Sequence, residues 1–112
     1  MLKEKQKVNP CMEIKKITRE EAAKLPLFKS YAESRKYFKS KYGDAFQLEE
    51  SFIVGEGADA TVCYRHSLIL NRGEYEKGVR QLASGSMADA GDFLASYQTI
   101  EIMLNGEIHV IF

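Results

Sequence analysis

Two apolar runs joined by Asn105-Gly106 close the chain, and this segment constrains the fold more than any other. The runs cover residues 99–104 and 107–112. Asn-Gly between such runs is typical of a β-hairpin, because the tight turns that join two strands need residues that tolerate a positive φ. A two-residue loop, however, would pair Ile102 with His109 and would set the apolar side chains of the two strands on opposite faces of the sheet.

A three-residue loop over 104–106, with Gly106 left-handed as a bulge, removes this mismatch. It pairs Ile102 with Ile108 and Ile100 with Val110, so that one face of the hairpin is apolar. We therefore predict the bulged register. In this register Ile111 faces away from the core, and the strand over 107–112 offers an apolar edge that invites pairing with another strand.

Upstream of the hairpin, the spacing of apolar residues alternates between the period of two that is typical of strands and the period of 3.6 that is typical of helices. Residues 13–17 show a short strand pattern, and apolar residues at the even positions 46, 48, 52 and 54 indicate a strand that turns at 55–59 into another over 61–70. Helix starts are indicated by side chains that cap free backbone amides, with an acid three positions later. These pairs are Thr18 with Glu21, Asn71 with Glu74, and Ser86 with Asp89.

The elements follow the order β-α-α-β-β-α-α-β-β. Because strands adjacent in sequence come in pairs, we predict a single small α+β domain over residues 12–112, with a mainly antiparallel sheet of about five strands and helices on one face. A chain of 112 residues favours one core over two. Residues 1–11 are polar and rich in Lys, so we expect a flexible basic tail, and Met12 is an alternative start.

The charges are balanced in number and segregated in position. The chain carries 16 basic and 16 acidic residues. Residues 1–41 contain 12 basic and five acidic residues. Residues 42–112 contain four basic and eleven acidic residues. Such asymmetry indicates a partner of complementary charge, or electrostatic steering towards one.

The helix predicted over residues 29–42 interleaves cations with aromatic side chains and is expected to end at Gly43. Its spacing places Tyr31, Arg35, Phe38 and Tyr42 on one face. Cations beside aromatic rings neutralise phosphates and stack on bases in proteins that bind nucleic acids, although they also occur on the solvated side of ordinary helices. The candidate binding residues are Lys29, Arg35, Lys36, Tyr37, Lys39 and Lys41, with Tyr37 as the stacking residue.

Catalytic and metal-binding patterns receive little support. Cys63 and His66 are close in sequence, but residues three apart on a strand point to opposite faces, and His66 is more typical of a core histidine with a hydrogen-bonded ring. The acids Glu49, Glu50, Glu56 and Asp59 do not match a calcium loop and indicate a solvated turn. Gly55-x-Gly57 lacks the rest of a dinucleotide fingerprint, and Ser84-Gly85-Ser86 is explained by helix capping. We therefore predict no catalytic residue, no cofactor and no metal.

No apolar stretch exceeds three residues and no secretory signal is present, so we expect no membrane span and a cytoplasmic location. Two cysteines are too few for a disulfide framework. The leading prediction is a non-catalytic interaction or regulatory protein that binds a protein partner, or a second copy of itself as a homodimer, through segregated charge and an exposed sheet edge. The alternatives are nucleic-acid binding through the helix over 29–42 and an enzyme of unrecognised type around Tyr64 and His66.

Overall fold

The described part of the chain folds into an α+β structure with four helices and four strands. The computed structural model describes residues 14–85 and 90–112. The helices are α1 (Arg19–Ala23), α2 (Tyr31–Tyr42), α3 (Arg72–Ser84) and α4 (Gly91–Leu94), and the strands are β1 (Phe46–Val54), β2 (Thr61–Ile69), β3 (Tyr97–Met103) and β4 (Ile108–Val110). The predicted tail over 1–11, the alternative start at Met12 and the capping pair Ser86 and Asp89 lie outside the described residues.

The strands form one antiparallel sheet in the order β1-β2-β3-β4. The hairpin of β3 and β4 confirms the predicted bulged register, since Ile100 pairs with Val110 and Ile102 pairs with Ile108. Gly106 adopts a φ of 95°, as its role in the bulge requires. The strand β4 lies at one edge of the sheet and β1 lies at the other.

The prediction of about five strands is wrong for the described residues, in which the sheet has four. Residues 14–17, the described part of the expected first strand, are not assigned to a strand. The Gln98 side chain explains part of this difference, because its Oε1 accepts from the Ile17 N–H at 2.8 Å and its Nε2 donates to the Ile17 carbonyl at 3.0 Å. A side-chain amide has the same donor and acceptor as a peptide group, so Gln98 satisfies Ile17 where a neighbouring strand would otherwise do so.

The even positions of β1 do not share one face along the whole strand. The register of β1 against β2 shifts between Leu48 and Glu50, so Leu48 pairs with His66 whereas Phe52 pairs with Cys63. His66 and Cys63 lie on opposite faces of β2 because they are three residues apart. Even-numbered side chains of β1 therefore lie on one face of the sheet before the bulge and on the other face after it. A regular alternation of apolar residues in the sequence does not indicate such a change.

The described residues form two compact units. The sheet unit comprises residues 17–68 and 98–112, and its core includes the completely buried side chains of Phe38, Phe46, Leu68, Ile100 and Ile102. The helical unit comprises the described parts of residues 14–16 and 69–97 and contains α3 and α4. None of the described helices is both long and apolar enough to cross a lipid bilayer.

Within the helical unit, α4 packs directly on the backbone of α3. Gly78 of α3 is buried, and a Cβ atom at this position would lie 2.2 Å from Cδ1 of Phe93. The Phe93 ring also lies 5.7 Å from the Tyr75 ring and 5.3 Å from the Tyr97 ring, measured between centroids. The glycine in α3 is thus explained by close packing of an aromatic side chain.

Candidate functional site

Local capping fixes the position of α2 along the chain. The Ser30 hydroxyl caps its first turn by accepting from the Glu33 N–H, and Gly43 ends the helix with a φ of 59°. The buried residues of α2 are Ser34 and Phe38, whereas Arg35 is exposed rather than part of the apolar face. Ser34 replaces it there because its hydroxyl donates to the Gly106 carbonyl at 2.7 Å, which satisfies the buried polar group.

The six predicted binding residues do not form one patch on the helix. At 3.6 residues per turn, Arg35 and Lys39 lie on one side of α2, and Tyr37 and Lys41 lie about 120–160° around the helix from them. Lys36 points away from the buried Phe38, and Lys29 precedes the N-cap. The four cations of α2 are Arg35, Lys36, Lys39 and Lys41, and none of them forms an ion pair with another described residue.

The predicted stacking residue, Tyr37, is half-buried among other side chains. Its ring centroid lies 5.3 Å from that of Phe28 and 5.2 Å from that of Phe38. The Lys41 ammonium lies 5.9 Å from the Tyr37 centroid and 5.5 Å from the Tyr42 centroid. Tyr37 and Lys41 line a groove of about 220 Å³ beside α1, together with Ile17, Glu21, Lys24, Leu25, Phe38 and Tyr42.

His66 lies in the core of the sheet unit as a neutral hydrogen-bonded ring. It is 1 % exposed, and its ring is stacked on Phe46 at 4.4 Å between centroids. Nδ1 lies 3.1 Å from the Tyr64 carbonyl, and Nε2 lies 3.1 Å from the Tyr31 hydroxyl. Burial lowers the pKa of His66 and raises that of Tyr31, so Nδ1 donates to the carbonyl while the phenol donates to Nε2.

The surroundings of Cys63 and His66 offer no assembled catalytic site. Cys63 is a buried free thiol whose pKa is raised mainly by burial, and it lies on the opposite face of β2 from His66. Neither Tyr64 nor His66 lines the groove beside α1, and neither lines a larger groove beside β4. Of the predicted acidic turn, Glu50 forms an ion pair with Arg65, which also pairs with Glu101. The described residues contain no group of three or more side chains suited to a metal ion.

The turn between β3 and β4 is held against the start of α2. The Tyr31 N–H donates to the Leu104 carbonyl at 3.0 Å, next to the bond from Ser34 to Gly106. A Cβ atom at Gly106 would lie 2.8 Å from both the Phe28 oxygen and the Ser30 nitrogen. Only glycine permits this approach of two backbones, and the contact fixes the position from which β4 begins.

The outer side of β4 presents unpaired backbone groups. The Met103 N–H donates to the Glu107 carbonyl at 2.8 Å, and the Ile111 N–H donates to the Thr99 carbonyl at 2.9 Å. Since inward and outward groups alternate along a strand, the peptide groups of Ile108 and Val110 point away from β3. Within the described residues, these two N–H and two C=O groups have no hydrogen-bond partner.

A groove of about 420 Å³ lies beside this edge. Its lining residues come from the end of α1, the following loop, and the turn and strand of the hairpin: Ala22, Ala23, Leu25, Pro26, Leu27, Phe28, Asn105, Gly106, Glu107 and Ile108. The Leu27 side chain is fully exposed. The sequence predicted the exposed strand but not this groove, whose two walls are about 80 residues apart in the chain. The apolar segment 25–28 directly after a helix is the signal that could have indicated it.

Comparison with known proteins finds no matching family model, no similar curated protein and no similar solved structure.

Proposed function

We propose that the protein is a small, non-catalytic interaction protein that binds an extended segment of a protein partner along β4. The observation that supports this function is the row of unpaired backbone groups at Ile108 and Val110 beside an apolar groove. An added strand obtains its affinity from backbone hydrogen bonds and its specificity from side chains that enter adjacent pockets. The groove that includes Leu27 and Ile108 supplies such a pocket.

The exposed cations of α2 would act on the approach of the partner. Arg35 and Lys36 are exposed and Lys39 is half-buried, and none of the three makes an ion pair within the described part of the chain, so their charge is available to an acidic surface. Exposed charges at the rim of an interface mainly raise the association rate and are screened by salt. The regulatory role and the cytoplasmic location expected from the sequence follow as parts of the same proposal.

A selection from a random peptide library, with the full chain immobilised, tests strand addition. We expect the selected peptides to bind the wild type and to lose at least tenfold in affinity on Val110→Pro, because proline removes an outward N–H that β3 does not use. Val110→Ala is the matched control, since it shortens the side chain and keeps the N–H. Circular dichroism would verify that both variants are folded.

Amide hydrogen exchange locates the binding edge. In the free chain, the Ile108 and Val110 amides should exchange faster than the His109 amide, which points towards β3, and a bound peptide should protect the first two. Equal binding of the peptides to the wild type and to Val110→Pro, with no new protection at β4, would refute strand addition.

Nucleic-acid binding is the second candidate, and the exposed cations of α2 favour it. Phosphates are neutralised by unpaired lysine and arginine side chains, and such binding weakens steeply with salt. The probe is a fluorescent single-stranded or double-stranded oligonucleotide, with its anisotropy measured at low salt. Binding that is reduced by Lys36→Ala and Lys39→Ala would support this function, and unchanged anisotropy at high protein concentration would exclude it.

A further inference from the structure

We infer that one occupant of the β4 edge is a second copy of this chain, in a two-fold symmetric dimer whose β4 strands pair antiparallel and whose Phe112 side chains each enter the groove of the other copy. The inference rests on the proposed function, because it names a partner for the same edge. Three features of the hairpin support it: the backbone row, the position of Phe112 and the charges at the groove.

The unpaired backbone row of β4 is complementary to itself. It is centred on His109, with Ile108 on one side and Val110 on the other. A two-fold axis through His109 sets Ile108 opposite Val110 of the second copy, and the reverse pair follows by symmetry. Residues in such pairs exchange both of their N–H···O bonds, so the outward groups of Ile108 and Val110 are all satisfied in the dimer.

The same register brings Phe112 to the groove. Counting outward from the axis, Phe112 of the second copy lies opposite Gly106, which lines the groove and has no side chain to obstruct it. Ile108, Val110 and Phe112 alternate onto one face of the strand, and Ile108 is itself a lining residue of the groove. Phe112 is 42 % exposed in the single chain, so entry into the groove would bury the exposed fraction of the about 150–250 Å² that a phenylalanine can bury.

The charges at the two ends of the strand are complementary. Glu107 is the charged residue among the described lining of the groove. The Arg19 guanidinium lies 4.6 Å from the centroid of the Phe112 ring. Insertion of Phe112 therefore brings a cation from one copy towards the Glu107 carboxylate of the other, whose Oε2 atom lies 2.7 Å from the His109 ring. Both ends of the paired strands gain this contact, because the axis repeats it.

Several apolar side chains around the edge would lose their contact with water in this dimer. Leu27 is fully exposed, Leu104 is 50 % exposed and Ile111 is 47 % exposed. Exposed large apolar side chains beside an unpaired strand edge are typical of interaction sites in folded proteins. An interface made of one strand pair and two aromatic side chains lies at the small end of the specific range, so we expect a dissociation constant on the order of micromolar.

Sedimentation equilibrium of the full chain, from micromolar to millimolar concentration, is the first test. We expect a monomer–dimer equilibrium that weakens at least tenfold on Phe112→Ala and on Val110→Pro. The control is Ile53→Ala, because Ile53 is also exposed, at 72 %, but lies on the strand at the opposite edge of the sheet. A wild type that stays monomeric at millimolar concentration overturns the dimer, as does a dimer that Ile53→Ala weakens and Phe112→Ala does not.

A crosslink at the symmetry axis tests the register. The two His109 residues form a pair without mutual hydrogen bonds, whose Cα atoms are about 4.5 Å apart and thus within disulfide range. His109→Cys should form an intermolecular disulfide on mild oxidation, in a chain that also carries Cys11→Ser, so that the buried Cys63 is the only other thiol in the sequence. Ile53→Cys in the same background should not. Failure of His109→Cys to crosslink where the wild type is dimeric overturns this register.

These results remain distinguishable from failure of the proposed function. A monomeric wild type whose library peptides still depend on the Val110 N–H removes the self-association and supports strand addition by other partners. A symmetric dimer that is sensitive to Phe112→Ala, with no peptide bound even at concentrations where the monomer prevails, supports the self-association and restricts the edge to a second copy.

Discussion

The contact between Gly106 and the segment before α2 predicts a large loss of stability on Gly106→Ala. The φ of 95° at this residue costs an alanine about 1–2 kcal/mol relative to glycine. The new Cβ would also lie 2.8 Å from the Phe28 oxygen and the Ser30 nitrogen. Both are backbone atoms, so no side-chain rotation relieves the overlap and the turn has to move away from α2.

This movement would break the two hydrogen bonds that join the turn to the helix. They run from the Ser34 hydroxyl to the Gly106 carbonyl and from the Tyr31 N–H to the Leu104 carbonyl. Each contributes about 1 kcal/mol, and Ser34 is completely buried, so water cannot replace its partner. Together with the backbone strain, we expect Gly106→Ala to lower the free energy of unfolding by about 3–4 kcal/mol, a large part of the 5–15 kcal/mol of an ordinary domain.

Gly43→Ala is the matched control for this substitution. Gly43 also has a positive φ, of 59°, but a Cβ there would meet no atom within 4 Å. We therefore expect a loss of only about 1–2 kcal/mol, from backbone strain alone. Urea unfolding followed by circular dichroism, at a concentration where the chain is monomeric, measures both variants. If Gly106→Ala loses no more than Gly43→Ala, the reasoning from the docked turn is refuted.

Two further substitutions test the cores of the two units. Helix propensity alone predicts that Gly78→Ala stabilises α3 by about 1 kcal/mol, but the Cβ would lie 2.2 Å from Phe93, so we expect a loss of about 1–3 kcal/mol in the same assay, and a gain would contradict the packing. Burial lowers the pKa of His66 below 6.5 in the folded chain. As the pH falls, the imidazole is therefore protonated in the unfolded chain before it is protonated in the folded chain. Protonation of His66 therefore does not affect the free energy of unfolding above about pH 6.5. Below that pH the free energy of unfolding falls by up to about 1.4 kcal/mol per pH unit, until the pKa of His66 in the folded chain is reached. Unfolding measured from pH 8 to 5 should show this slope, and His66→Gln should remove it; an equal slope in the variant would assign the effect to other groups.

Local signals in the sequence were sufficient for the hairpin of β3 and β4. Asn105-Gly106 defines a turn, and the condition that Ile100 and Ile102 share a face with Val110 and Ile108 leaves one register. Capping was equally local, since Thr18 and Asn71 begin α1 and α3 as predicted. These features depend on residues within about ten positions of one another, so no tertiary information was needed to predict them.

Features that depend on distant contacts were not predictable from the sequence. Arg35 has the spacing of a buried position, but Ser34 takes that place because its partner, the Gly106 carbonyl, lies 72 residues away. Ile17 has a strand pattern, but its peptide groups bind the side chain of Gln98, 81 residues away. Periodicity reports the polarity of a side chain and not the partner that would satisfy it, so it assigns such positions wrongly.

The exposed charges of α2 and the edge strand β4 make different contributions to binding. Ion pairs within the described residues include those of Arg65 with Glu50 and Glu101, all from the acidic part of the chain, and leave the cations of α2 unpaired. The charge asymmetry is thus not cancelled by ion pairs among these residues. Exposed charges mainly change how fast two proteins associate, whereas backbone pairing and a buried ring mainly change how slowly they separate. Salt should therefore lower the association rate, because it screens the cations of α2. Val110→Pro and Phe112→Ala should raise the dissociation rate, because they change the contacts of β4.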